Sequence, residues 1–364
     1  MAATSCLRRI AALLGGLLAV GGARAVALPD DTAEAMAHGF HGGGVTAAGP
    51  ALLVRKSLSD KFSLTGTYYM DMVSNASIDV VTTASPFRET RNAFGVGMNY
   101  LVRESLITLA AASSVEPDYV ANSVNLDVAQ DMFGGMTTVS LGFTRGRDDV
   151  KKSNTPSFSE TADHWRYRVG ATQILSPAWL MTANFEAQSD SGYLGSPYRV
   201  ALVFGAAVPE RVPSTRSSRA FQLRTVGDLG GQNVVTGRYR YFWDNWGITA
   251  HTLEGGYSRY LGEGWMGSAY LRYHAQQGAL FYSNNATEDT TYVTRNRQLS
   301  SFDDYGLGMS TVYTLKTVPG KYAVTLTGSA EVMTFRYSEF TDLRTGSLYS
   351  FNALLLQLLV TATF

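Results

Sequence analysis

The chain has 364 residues, 45% hydrophobic and 12% aromatic, with only 16% charged, a formal net charge of +0 and 36 glycines. Balanced charge leaves no basic stripe for nucleic acid. The one cysteine, Cys6, lies ahead of an apolar run and excludes disulfides and thiolate chemistry from the chain that follows. Arg8 and Arg9 precede that run, residues 10–20, and small residues ending Ala23-Arg24-Ala25 come after it. This is the pattern of a secretory leader cut after Ala25, with Ala27 as the alternative, so residues 1–25 are expected to be a signal peptide and 26–364 the exported domain.

No later segment reaches the roughly 20 continuous apolar residues that a spanning helix needs. Apolar and polar residues instead alternate with a period of two, in runs at 62–72, 94–100, 136–146, 164–175, 179–188, 234–244, 265–276, 305–313 and 322–332. In the fifth run Trp179, Met181, Ala183, Phe185 and Ala187 share one face, and Thr182, Asn184, Glu186 and Gln188 the other. Short connections with turn chemistry alternate with long polar ones at 74–91, 150–163, 191–217, 281–302 and 338–348. The last run places Leu354, Leu356, Leu358, Val360, Ala362 and Phe364 on one wholly apolar face. Such a strand, ending on Phe, is how outer-membrane barrels close, and Val360, Ala362 and Phe364 are the expected insertion signal for the barrel assembly machinery.

The expected fold is therefore an all-β, transmembrane antiparallel barrel in the bacterial outer membrane, its apolar face on the lipid bilayer. Fifteen strands are clear from Val45 onward. Termini that both lie in the periplasm require an even number, so the weak stretch 32–41, turning through Gly42-Gly43-Gly44, is expected to supply a sixteenth.

If the apolar face meets lipid, the opposite face lines the lumen. Its candidate residues are Asp127, Asp131, Arg166, Arg168, Glu186, Arg224, Arg238, Arg240, Glu254, Arg272 and His274, with Asp71, Glu116 and Asp244. Arginines between 166 and 272 and acids between 71 and 131 suit a basic wall facing an acidic one, as in general porins. Mixed charges are more often ion-paired with one another. The segment Val200-Ala201-Leu202-Val203-Phe204 is too apolar to lie in water, so the loop 191–217 is expected to constrict the lumen, to prolong the strands as a hairpin, or to contact a partner or lipid-like substrate, the hairpin being preferred.

At 71–100 the chain reads DMVSNASIDVVTTASPFRETRNAFGVGMNY. In this stretch it resembles the uncharacterised outer-membrane barrel family named domain of unknown function 3570. The matching positions are Asp71, Ser74, Ala76, Ser77, Asp79, Pro86, Glu89 and Arg91, with Asn75 where the family has Gly. A second familial stretch is Ser196-Pro197-Tyr198-Arg199 with Pro209, Glu210, Pro213 and Arg216. The resemblance implies an exported barrel, and a setting alongside a small lipoprotein and a flavin-attaching transferase.

The oxygen-rich stretch from Asp71 to Ser85 could hold calcium, although Ser and Asn side chains satisfying their own backbone are the preferred reading. No G-x-S-x-G occurs, and His38-x-x-His41 falls short of the three ligands of a catalytic zinc. No enzyme activity, cofactor or metal is expected. The leading expectation is a porin-like channel for small polar solutes or ions. The alternatives are a closed barrel serving as scaffold for a lipoprotein or an envelope electron-transfer or metal-handling system, and a transporter of hydrophobic substrates, against which the polar inner faces speak.

Overall fold

The computed structural model describes residues 26–75, 87–153 and 155–364. The expected leader, and Ala76, Ser77, Asp79 and Pro86 of the motif, lie outside these residues. Alternation of period two can bury one face of a segment only if the segment is extended, and strands dominate accordingly. They are β1 (Thr32–Gly42), β2 (Val45–Ser59), β3 (Phe62–Asn75), β4 (Phe87–Val102), β5 (Ser105–Glu116), β6 (Tyr119–Met132), β7 (Thr137–Lys151), β8 (Ser159–Ser176) and β9 (Trp179–Gly192). After them come β10 (Val200–Val203), β11 (Ala206–Pro209), β12 (Thr215–Gly230), β13 (Asn233–Asp244), β14 (Thr249–Gly262), β15 (Trp265–Gln276), β16 (Phe302–Val318), β17 (Tyr322–Thr341) and β18 (Leu348–Thr363).

Sixteen of these close into one antiparallel barrel, each strand pairing with its neighbour in the chain, β9 with β12, and β1 with β18. The weak first strand is thus a full member of the wall, with Ala35 opposite Val360 and Phe40 opposite Leu355. It turns into β2 through Gly43 (φ 58°) and Gly44 (φ 77°), the left-handed pair that a two-residue hairpin demands. Both ends of the wall lie on one rim. Thr32 faces Thr363, and the Phe364 N–H donates to the Asp31 carbonyl at 3.0 Å.

Seven compact turns share the rim with the termini, and the long connections stand at the other. The alternation is imperfect, because the β1–β2, β5–β6 and β13–β14 connections at the long-loop rim are also tight.

The outer face carries Leu52, Val54, Phe94, Val96, Leu253, Leu271, Leu354, Leu356 and Leu358, all exposed. So large an apolar surface requires lipid around it. Aromatic side chains mark its borders, with Trp179, Trp265 and Tyr313 near the terminal rim and Trp165, Tyr241, Trp243, Tyr273 and Tyr305 toward the other, where rings with a polar edge suit the water boundary. Trp265 and Tyr313 stack at 4.4 Å, and the Arg145 guanidinium lies 4.1 Å from the Trp165 ring.

The 191–217 loop forms the preferred hairpin, but not as a continuation of the wall strands. Its apolar stretch forms a separate hairpin, β10 with β11, which leaves the wall to β9 and β12. The hairpin docks on another loop, 277–301, through bridges Val203 to Ala286 and Arg211 to Val293. Ala201, Val203 and Val293 pack together there, out of water.

Candidate functional site

Strand parity fixes which side chains line the lumen, because residues opposite one another across every ladder share a face. One row runs Thr182, Arg224, Arg238, Glu254, Arg272, Gly306 around β9 and β12–β16. The next row up holds Asn184, Gln222, Arg240, Thr252, His274 and Asp304. Arg166, Arg168, Glu186, Asp127 and Asp131 occupy the same inner face on β8, β9 and β6. On β4, β5 and the start of β6 the inner face carries mainly small residues: Ala93, Gly95, Gly97, Ala110, Ala112, Ala121 and Ser123.

The large polar side chains lie along the wall, and glycines make this possible. Arg168 on β8 crosses β7 over Gly142 to reach Asp127 and Asn125 on β6, both at 2.7 Å. A Cβ on Gly142 would sit 2.3 Å from Asp127 Oδ1 and 2.8 Å from Arg168 Nε. His38 on β1, opposite Gly49 of β2, places Nε2 2.6 Å from Asp71 Oδ1 on β3, with the Tyr69 hydroxyl 3.0 Å from the same nitrogen and its ring stacked at 4.8 Å. Tyr270 lies over Gly308, where a Cβ would fall 2.1 Å from its ring, and so comes beside Glu331 on β17.

Facing walls of opposite charge do not form. Arginines pair with acids on neighbouring strands: Arg238 with Glu254 at 3.3 Å, Arg272 with Asp304 at 3.1 Å, and Arg166 with Glu186 at 3.7 Å while donating to Gln188 Oε1. Arg224 stands directly opposite Arg238 and has no ion pair among the described residues. Arg240 lies 5.4 Å from the Phe242 ring, and His274 Nδ1 is 2.8 Å from Thr252 Oγ1. Toward the long-loop rim His164 bridges two carboxylates, Asp190 at 2.6 Å and Asp148 at 2.8 Å. Near the terminal rim Asp131 accepts from Thr138 Oγ1 and from the backbone N–H of Val26, the first residue of the expected mature chain. Asp71 and Ser74 fall on opposite faces of β3, as do His38 and His41 on β1.

The inner face is not polar throughout, contrary to the sequence reading. At the long-loop rim Phe40, Val45, Ala47, Val73, Met333, Ala353 and Leu355 form an inward apolar patch, continued by Phe302, Tyr337 and Phe340. Loop 277–301 covers it. Arg297 reaches the Gly43 carbonyl at 3.5 Å and lies over the Tyr349 and Phe351 rings, while Arg295 donates to the Thr341 carbonyl at 2.6 Å and lies 4.5 Å from the Phe340 ring. This loop, not 191–217, folds across the mouth. The Arg-x-Arg pair in an aperiodic polar segment gave no sequence signal beyond its charge.

No curated protein matches the chain. Among solved structures it is similar to a bacterial polysaccharide outer membrane secretin, at 9% identity and a TM-score of 0.53, over 92% of this chain and 99% of that one. It is also similar to OpdK from Pseudomonas aeruginosa, solved with vanillate, at 10% identity and a TM-score of 0.46, over 92% and 98%. The siderophore receptor PirA of Pseudomonas aeruginosa gives 10% and 0.45, over 92% and 80%. At such identities the first of these likenesses speaks to fold alone, and it agrees with the closed, lipid-banded wall of an outer-membrane protein. The resemblance carried by residues 71–100 holds over most of the sequence: the family model described as "Protein of unknown function (DUF3570)" matches residues 19–325, and the chain belongs to that family.

Proposed function

We propose that the barrel is a channel for small polar solutes or ions, with the terminal rim in the periplasm and the long loops outside. The observation that carries this reading is the arrangement of the lumen charges. Arg168 lies along the wall over Gly142 to meet Asp127, Arg238 and Arg272 pair with acids on adjacent strands, and β4 and β5 carry mainly small side chains on the same inner face, an arrangement that suits a polar-lined path. A narrow passage lined by fixed charges favours hydrated, polar solutes. Arg224, Arg238 and Arg272 on one row, with Arg240 on the next, set the electrostatics there.

Planar bilayers test this. The folded protein is expected to conduct ions, and shortening loop 277–301 is expected to raise the unitary conductance. Absence of conductance at any voltage, in both the native and the loop-shortened barrel, overturns the reading.

A second reading, a scaffold for a small lipoprotein or other envelope component, is favoured by one observation. Phe204 and Leu280, on the two interlocked loops, are 72% and 84% exposed. Apolar tips of this kind suit a protein partner, and a stoichiometric companion in detergent extracts would support it.

A further inference from the structure

Three carboxylates converge at the long-loop rim, away from the arginine rows. Glu89 comes from β4, Glu116 ends β5, and Asp118 sits in the two-residue turn to β6, where Glu116 faces Tyr119 across the hairpin. One oxygen from each lies within 4.8 Å of the others. The scaffold under them is ordered, since the Lys151 N–H donates to the Asp118 carbonyl at 2.8 Å and ties the turn to β7.

Proximity of acids alone would mean little, but the state of Glu116 adds a separate observation. The residue is only 6% exposed, and its Oε1 is sealed from solvent with no hydrogen-bond donor. Asp118 is 8% exposed. Among the described residues none of the three has an ion pair. Arg91, whose charge reaches Glu116, gives its Nε–H to Ser114 Oγ at 2.8 Å. A buried carboxylate oxygen without a donor is costly unless something positive meets it.

We infer that Glu89, Glu116 and Asp118 form a binding site for a hard divalent cation, calcium in the first place, that clasps β4, β5 and the β5–β6 turn at the mouth of the barrel. The donor set is all oxygen, with neither imidazole nor thiolate, which excludes the softer transition metals as preferred ligands. Calcium accepts oxygen ligands at about 2.3–2.6 Å in flexible geometry, whereas magnesium demands a near-ideal octahedron at about 2.1 Å, which carboxylates from three separate backbone segments are poorly suited to supply. Calcium also tolerates incomplete, irregular coordination completed by water.

The test uses protein purified from outer membranes in detergent and stripped with EDTA. Calorimetric titration with calcium chloride is expected to show one site, and calcium to raise the unfolding temperature. Glu116→Gln and Asp118→Asn should each weaken calcium binding at least tenfold while the barrel keeps its heat-modifiable migration, and Glu116→Gln should be no less stable than the parent in EDTA. Asp228→Asn, in a turn at the opposite rim, should leave the titration unchanged. No calcium binding by the parent, or undiminished binding by both carboxamide variants, overturns the inference. Should Glu116→Gln fail to fold, Glu89→Gln and Asp118→Asn carry the same comparison.

Discussion

Two acid–base contacts of nearly equal length should differ several-fold in what their loss costs. His38 and Asp71 meet at 2.6 Å with both side chains 0% exposed, and Arg168 and Asp127 meet at 2.7 Å with side chains 39% and 38% exposed. Truncating His38 to Ala leaves the Asp71 carboxylate buried without its partner, which costs about 3–5 kcal/mol. Truncating Arg168 frees Asp127 into a wet lumen, where water replaces the lost partner and the loss is about 0.2–1 kcal/mol. The assay is reversible urea unfolding in detergent or large vesicles, followed by tryptophan emission. The double variant His38→Ala/Asp71→Ala should recover part of the loss, because no orphaned carboxylate remains. Equal losses for His38→Ala and Arg168→Ala, or a double variant no better than His38→Ala, would refute the claim that burial and not distance sets the cost.

The glycine under Arg168 gives a second expectation. Gly142→Ala puts a methyl 2.3 Å from Asp127 Oδ1 and 2.8 Å from Arg168 Nε, so the side chains must part, at about 1–3 kcal/mol, and the ion selectivity measured by reversal potential should shift with them. A third concerns pH. Hydrogen bonds from Lys56 Nζ and then from the Ser57 N–H lower the Asp31 pKa to about 2, below the roughly 3.9 of an unfolded chain. An acid so depressed contributes stability that is complete above its unfolded value and is lost as pH falls through about 2. The stability difference between the parent and Asp31→Asn should therefore be constant from neutrality to about pH 5, shrink below that, and level off only below about pH 2; a difference that does not shrink between these limits contradicts the assignment.

The barrel was legible in the sequence because its two solvents, lipid and water, impose a strict alternation on every strand. Trp179 to Gln188 shows both faces at full contrast. Even β1, whose outer face is mostly Ala and Gly, could be recovered from parity of the strand count. The inner ladder was less legible. Parity names Arg168 and Asp127 as lumenal, but only the three-dimensional register puts Gly142 between them, and sequence separation hides that they touch. Loop 277–301 was opaque for a different reason: its buried guanidiniums, Arg295 and Arg297, are held by carbonyls and ring faces of distant strands, contacts that leave no local periodicity. The polar reading of the inner face failed at Phe40, Met333 and Leu355 because those positions are sealed by that loop and not by water.

The joining of β1 to β18 has a consequence for biogenesis. Every other junction in the wall links strands that are neighbours in the chain, apart from the short detour of β10 and β11, and can zip locally as soon as both are present. The last seam links residues that begin and end the barrel, Thr32 with Thr363, so its loop-closure entropy is the largest of all and is repaid only once the whole polypeptide has arrived. Until then the nascent sheet carries two raw edges, at β1 and at whichever strand is newest, and each is a template for unwanted pairing. The pairing of the final strand with β1 therefore governs how long those two edges stay open.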